Sequence, residues 1–367
     1  MDIEVRQAAN EEERDAALDL TCRLFPAIGY EEAILRKKKL RELLPEDFRP
    51  DLFILALADR KIIGMYRLNE RVLEFGGVQT QVLATTDYCI DKTASRDGSV
   101  GFEFYMRGCE ITRKWPYPII MGSARRALSD YYHWFGYTSC HTYAETVIEK
   151  LDSRLQNHPG MEVREGFCME RVHLYEELRQ ASMANDWGFF HRSSGFWRWI
   201  GFQCSGQDPQ FFEIFQDNQF AGFFVIRDGA LVDYGFKLSV FQNCLNACIS
   251  YCSSIDRNHP LRLGISPSNK LFDFLGRSHL IFKSRHVTNE GVLAMAGNPD
   301  HLISLFARVL SSERTKRGIH LPGIHLTDNL AFEFSAEGAA EPRLKRPTLS
   351  KEDMRTLVNC LFMGTEG

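Results

Sequence analysis

The stretch QVLATTDYCIDKTASRDGSVGFEFYMRGCEITRKWPYPIIMGSARRALSDYYHWFGY, Gln81 to Tyr137, decides the fold. Val82 to Ile90 is rich in apolar and β-branched residues and reads as a strand. The polar run Asp91 to Gly98 reads as a loop, and Ser99-Val100-Gly101 leads into a helix that ends near Lys114. Tyr117 to Met121 reads as another strand, and Ala124 to Phe135 as another helix, stopped by Gly136. Strand, small-residue turn, helix, strand, helix predicts an α/β chain. Small residues at the turn let a ligand approach the backbone closely. The free N–H groups of a helix start favour an anionic group, so the turn is a candidate phosphate cradle.

Before this stretch, Ile3 to Arg6 alternates like a first strand, and Asn10 is placed to cap the helix that follows. Tyr30 to Leu44 reads as a second helix; its run Arg36-Lys37-Lys38-Lys39 is read as a solvated face, with docking of an acidic partner as the alternative. Leu52 to Ala58 and Ile62 to Leu68 read as two strands, and Gly76-Gly77 as a tight connection to the next. After it, Cys140 to Val147 and Arg171 to Tyr175 read as strands and Leu178 to Ala184 as a helical connector. Phe211 to Phe215 and Phe220 to Arg227 read as a hairpin around Asp217-Asn218, followed by a helix over Leu238 to Ser253 and a strand near Leu261 to Ile265. Pro299 to Leu310 reads as a helix, Leu330 to Phe334 as a strand, and Thr348 to Phe362 carries a Leu-rich helix. Phe196, Trp197 and Trp199 beside Arg192 and Arg198 suit either core packing or base stacking; packing explains them more economically.

The chain of 367 residues is long enough for two or three domains. Its 44% hydrophobic and 25% charged content is that of a soluble globular protein, and a net charge of −4 argues against general nucleic-acid binding. There is no apolar run long enough to span a bilayer, and the acidic start MDIEVRQAANEEERD lacks the pattern of a signal peptide, so a cytoplasmic protein is expected. The ten cysteines include no Cys-x-x-Cys pair, and no metal site is expected. Cys244, Cys248 and Cys252 fall on one helix face and are read as buried small side chains.

The run Arg96-Asp97-Gly98-Ser99-Val100-Gly101 resembles the Arg/Gln-x-x-Gly-x-Gly/Ala turn of the GNAT family of acetyl-CoA-dependent N-acetyltransferases, with Ser99 in place of the middle glycine. Tyr132, four residues before Gly136-Tyr137, matches the family's tyrosine. The resemblance covers roughly the first 150 residues. It implies a mixed sheet split near the fourth strand, with acetyl-CoA in the split as co-substrate. Cys89, Ile90 and Asp91 would pair by backbone with the pantetheine arm, and Arg96, Asp97, Gly98, Ser99, Val100 and Gly101 would cradle the pyrophosphate. It also implies that Tyr132 gives a proton to the departing thiolate.

For the base, the residues offer Asp87, Glu103, Glu145 and His141, of which Asp87 borders the cleft. The order of elements towards the end of the chain resembles Eis-type tandem acetyltransferases with a sterol-carrier-like C-terminal region. There the chain's own terminal carboxylate acts as base, which here is Gly367. The expected organisation is a GNAT-like acetyl-CoA-binding domain over 1–175, a second degenerate GNAT-like unit over 176–285 with no matching turn, and the C-terminal region over 286–367. The expected activity is acetyl transfer to a small amine. The rivals are a non-catalytic protein of the same fold that binds CoA or an acyl ligand, an assembly protein joined through the aromatic block around Trp197, and, within the enzyme class, a protein-acetylating enzyme. The sequence leaves a homo-oligomer open.

Overall fold

The computed structural model describes residues 2–25, 29–91, 93, 99–123, 128–139, 142–150, 160–184, 188–206, 209–255, 261–265, 269, 271, 274–275, 281–288, 292–318, 323–335, 338–346 and 348–363. The chain forms two compact units, Met1–His141 with Asn289–Gly367, and Thr142–Thr288. The first unit opens with β1 (Glu4–Gln7), α1 (Glu11–Leu24) and α2 (Tyr30–Leu43). It continues through β2 (Phe53–Ala58), β3 (Lys61–Phe75), β4 (Val78–Ile90), α3 (Ser99–Thr112), β5 (Ile119–Ser123), α4 (Ser129–His133) and β6 (Thr138–Ser139).

Local chemistry sets the first elements. Asn10 takes the N-cap of α1 and its Oδ1 accepts from the Glu13 N–H at 2.9 Å, while Glu11, Glu12 and Glu13 fill the positive first turn. Arg6 on β1 then grips Glu13 with two bonds of 2.6 Å, tying strand to helix. Every residue of β2 is buried, as a central strand requires.

The second unit comprises β7 (Thr142–Lys150), β8 (Met161–Glu165), α5 (Val172–Met183), β9 (Phe189–His191), α6 (Ser194–Gln203), β10 (Gln210–Gln216), β11 (Gln219–Arg227), β12 (Ala230–Phe236), α7 (Phe241–Ile255), β13 (Leu261–Ile265) and β14 (Ile281–Thr288). Its sheet runs β14-β7-β13-β12-β11-β10-β8. Asp217 and Asn218 both adopt left-handed φ, 49° and 64°, as a two-residue hairpin turn needs. The segment Arg171–Tyr175, expected as a strand, is instead the N-cap and first turn of α5. The reason is spacing: Tyr175, Leu178, Arg179 and Ser182 are its buried positions, a helical rather than an alternating pattern. Trp197 is fully buried against Tyr175 and Phe223, so it serves packing. Cys244 and Cys248 are buried in the same unit's core beside Leu245 and Ile249.

The chain then returns to the first unit with β15 (Val292–Ala296), α8 (Pro299–Arg317), a small sheet of β16 (Gly323–His325), β17 (Leu330–Phe334) and β18 (Ala340–Leu344), and α9 (Lys351–Met363). The first unit's sheet runs β1-β2-β3-β4-β5-β15-β6. Its strands therefore come from both ends of the chain, and β7, placed by sequence in the 1–175 segment, pairs with β13 and β14 of the second sheet. Ser350 and Asp353 exchange capping bonds of 2.9 and 3.1 Å at the start of α9. Asn359 accepts from Thr138 Oγ1 at 2.7 Å and Phe362 meets Phe75 edge-on at 5.1 Å, which seats α9 on its own unit.

Candidate functional site

The site is made where β4 leaves its neighbours. On one side, β3 pairs Met65 with Cys89 but Arg67 with Thr86, so Asp87 and Tyr88 together face Tyr66 across an inserted residue. This is a β-bulge, and Asp87 adopts a left-handed φ of 59° to make it. On the other side, β4 and β5 are parallel and pair from Leu83–Ile120 to Thr85–Gly122. The Thr85 hydroxyl closes that ladder by donating to the Met121 carbonyl at 3.0 Å. Beyond Thr85 no pairing joins the two strands among the described residues, while β4 continues to Ile90. The bend from the bulge and the parting of the strands leave one edge of Thr86 to Ile90 without a strand partner among the described residues.

The helix that follows is set against this edge. Val100 and Gly101, in the first turn of α3, are buried. A Cβ on Gly101 would stand 3.3 Å from the Tyr88 hydroxyl and 3.7 Å from Ile90 Cγ2, so a glycine lets the helix start approach the strand. The Tyr88 hydroxyl donates to the Gly101 carbonyl at 3.1 Å and lies 3.4 Å from the Tyr131 hydroxyl. Tyr88, Tyr105, Tyr131, Tyr132 and Phe135 form one ring cluster, with the Tyr105–Tyr132 pair edge-on at 5.4 Å and Tyr105–Phe135 at 4.6 Å. Burial pushes the Tyr132 phenol up to about 12, assisted by Tyr131. The Tyr132 hydroxyl has no hydrogen-bond partner among the described residues, whereas those of Tyr88 and Tyr131 meet each other.

Asp87 carries the charge at the bulge. Its Oδ2 accepts from Lys37 Nζ of α2 at 2.6 Å and from Arg67 Nε of β3 at 3.1 Å. Burial opposes ionisation, but the two cations outweigh it and hold the carboxyl below its usual range. Arg67 is itself buried, bonded to the Asp47 carbonyl at 3.3 Å and lying 4.4 Å over the Phe48 ring. A carboxylate so paired is a weak proton acceptor and a strong anchor. Cys89 points the opposite way chemically: burial lifts its thiol to about 11, and its sulfur meets Thr21 Oγ1 at 3.6 Å. Asp91 turns back on its own loop, accepting from Thr93 N and Oγ1 at 2.9 and 2.7 Å.

Of the residues proposed from sequence, Asp87, Cys89 and Ile90 lie on β4, with Asp91 just past its end; Ser99, Val100 and Gly101 open α3, with Gly101 against Ile90; and Tyr132 lies in the ring cluster with Tyr105, Tyr131 and Phe135. Arg96, Asp97, Gly98, His141 and Gly367 lie outside the described residues, as does the side chain of Glu145. Glu103 pairs with Arg107 at 2.6 Å on the exposed side of α3. Sequence reasoning missed Tyr88, Arg67 and Lys37. Lys37 was read with its neighbours as a solvated face, yet it stands four residues after the buried Ala33 and so on the inward face of α2. That spacing was the available signal.

A bulged β4 parting from a parallel β5, followed by a helix aimed at the gap, within a mixed sheet, is an α+β GNAT-like fold. The chain superimposes on a GCN5-related N-acetyltransferase from Anabaena variabilis with a TM-score of 0.65, covering 94% of this chain and 86% of that one at 12% identity. It superimposes on Eis1 from Mycobacterium abscessus with a TM-score of 0.63, covering 98% and 89% at 14% identity. A GCN5-related N-acetyltransferase from Kribbella flavida gives 0.62, with 95% and 85% covered at 14% identity. No family model matches the chain, and no curated protein matches it in sequence. At these identities the likeness is one of fold. No helix among the described residues is long and apolar enough to cross a membrane.

Proposed function

We propose that the chain is an acyl-CoA-dependent N-acyltransferase whose first unit moves an acetyl group from acetyl-CoA to a small amine. The observation that carries this reading is the open edge of β4, made by the bulge at Asp87 and the loss of pairing to β5 beyond Thr85. The pantetheine arm has amides at the spacing of an extended chain, and such an edge is what they would pair with. The residues fit that ligand: Cys89, Ile90 and Asp91 supply backbone, and Gly101 is a position that a side chain would fill. The start of α3, from Ser99, supplies N–H groups for the pyrophosphate. The segment Arg96 to Gly98 completes the proposed cradle.

The transfer itself asks little of the protein. The amine nitrogen adds to the thioester carbonyl, whose oxygen gains charge that backbone N–H groups of β4 can accept. The C–S bond then breaks, and the thiolate needs a proton. Tyr132 is proposed to give it, since burial that raises the phenol raises the proton affinity of a thiolate in the same surroundings as well. The amine's surplus proton leaves to a base or to water. Asp87 is the nearest carboxylate on β4 in this proposal; its two cations suit it better to hold the acceptor side in place than to take the proton. Gly367 remains the second proposed base.

The amine acceptor, acetyl as the acyl group, the restriction of CoA to the first unit, and a cytoplasmic setting are parts of the same proposal. Native mass spectrometry of the full chain with acetyl-CoA tests it: one CoA per chain is expected. Two per chain would refute the asymmetry of the units, and none would refute the reading. Binding without consumption across an amine panel would favour a CoA-binding protein of the same fold.

A further inference from the structure

One amine of the chain reaches the bulge of β4. Within the run Arg36 to Lys39, Arg36 pairs with Glu32 at 2.7 Å and Lys39 with Glu42 at 2.8 Å, both inside α2, and Lys38 is exposed. Lys37 differs from all three. It turns inward and places Nζ 2.6 Å from Asp87 Oδ2, with its side chain 21% exposed. Asp87 is the bulge residue, two positions past Thr85, where β5 departs, and two before Cys89, where the proposed pantetheine edge begins. A primary amine is therefore held at the segment of β4 against which the thioester would lie, on a carboxylate that it shares with Arg67.

We propose that Lys37 is a self-acetylation site, taking the acetyl group from acetyl-CoA bound in the β4 cleft. This rests on the acyltransferase reading and names an acceptor for it. Lys37 first loses a proton from its ammonium to water. The neutral Nζ adds to the thioester carbonyl carbon, a C–N bond forms and the C–S bond breaks. The thiolate takes its proton from Tyr132 and leaves as the CoA thiol, and the nitrogen's second surplus proton restores the Tyr132 phenol; the products are N-acetyl-lysine and CoA, with no other reactant. Deprotonating an ion-paired ammonium slows the step, and holding the nitrogen beside the thioester compensates through effective concentration. The product has lost one positive charge at the bulge, leaves Asp87 to Arg67, and keeps one amide N–H to donate. Acetylation would thus change the charge facing any external acceptor.

The test uses the full chain, isotope-labelled acetyl-CoA and site-resolved mass spectrometry after digestion at glutamate. Lys37 should carry the label at least about tenfold above exposed Lys38 in the same run. Its labelling should saturate with acetyl-CoA, rise with pH, and fall to the level of Lys38 in heat-unfolded chain. Label on Lys37 equal to or below that on Lys38, or unchanged by unfolding, overturns the proposal. CoA binding, followed by isothermal titration on the same sample, separates the two ways to fail: bound CoA with unlabelled Lys37 removes this inference alone, while absent binding removes the acyltransferase reading with it. Lys37→Arg keeps the charge for Asp87 and should bring the label in this run down to the level carried by Lys38.

Discussion

Gly101→Asp tests the cofactor site at its narrowest point. The new Cβ would stand 3.3 Å from the Tyr88 hydroxyl, closer than most side-chain contacts, so Tyr88 must give by a few tenths of an ångström. Gly101→Ala carries that steric effect alone and should weaken CoA only a few-fold. The Asp variant adds a negative charge beside the proposed pyrophosphate. At about 6 Å and an effective dielectric of about 40, each phosphate charge is opposed by about 1.4 kcal/mol. Two such charges amount to a loss of roughly a hundredfold in affinity, reduced towards tenfold by salt. Isothermal titration with CoA, at low and at physiological salt, gives both numbers, and thermal melts of the three proteins confirm that each is folded. Equal CoA affinity for the native chain and Gly101→Asp would refute the placement of the pyrophosphate at α3.

Tyr132→Phe removes a hydroxyl without a partner among the described residues, so melting temperature should hold while acetyl-CoA turnover drops on the order of 10²-fold; lowered stability with unchanged turnover would make it a packing residue. Tyr88→Phe breaks the bond to the Gly101 carbonyl and should cost about 1 kcal/mol in denaturant unfolding, the usual worth of one such bond. Gly108→Ala would set a Cβ 2.4 Å from the buried Tyr66 hydroxyl and should destabilise by about 1–3 kcal/mol, measured the same way. Burial opposes ionisation of Asp353, but bonds from Thr327, Asn329 and Ser350 outweigh it and lower the carboxyl to about 2. A carboxyl depressed on folding stabilises above its unfolded pKa near 4 and loses that contribution as pH falls towards 2. Melting temperature should therefore drop more steeply across that window in the native chain than in Asp353→Asn.

Much of the fold could be read along the chain because its signals are local. Asn10 with three glutamates after it announces α1, the Asp217-Asn218 pair announces a hairpin, and Val82 to Ile90 looks like the strand it is. What could not be read were properties of partners far apart in sequence. No feature of Thr85 says that β5 will leave it there. The left-handed φ of Asp87 follows from an extra residue opposite Tyr66, a fact of pairing rather than of composition. Lys37 and Arg67 find Asp87 from two other elements, which a charge run cannot reveal. The start of α5 at Val172 resembles a strand because Val172 and Tyr175 have strand preferences, which burial every third or fourth residue overrides.

The strand order of the first sheet also has a cost in time. Strand β15 sits between β5 and β6, with Leu293 beside Gly122 on one edge and Ser139 on the other. Residues 142–288, the whole second unit, are made after both of those strands and before β15. A nascent chain that has finished β5 and β6 holds two strand edges apart until the ribosome delivers Val292 to Ala296. Those edges are the kind that pair with the wrong chain when left waiting. Closing so long a loop adds little to the equilibrium cost, since that grows only with the logarithm of length, but it slows the search. Refolding should show a late phase in which β5, β6 and β15 gain amide protection together, after the second unit has already become protected.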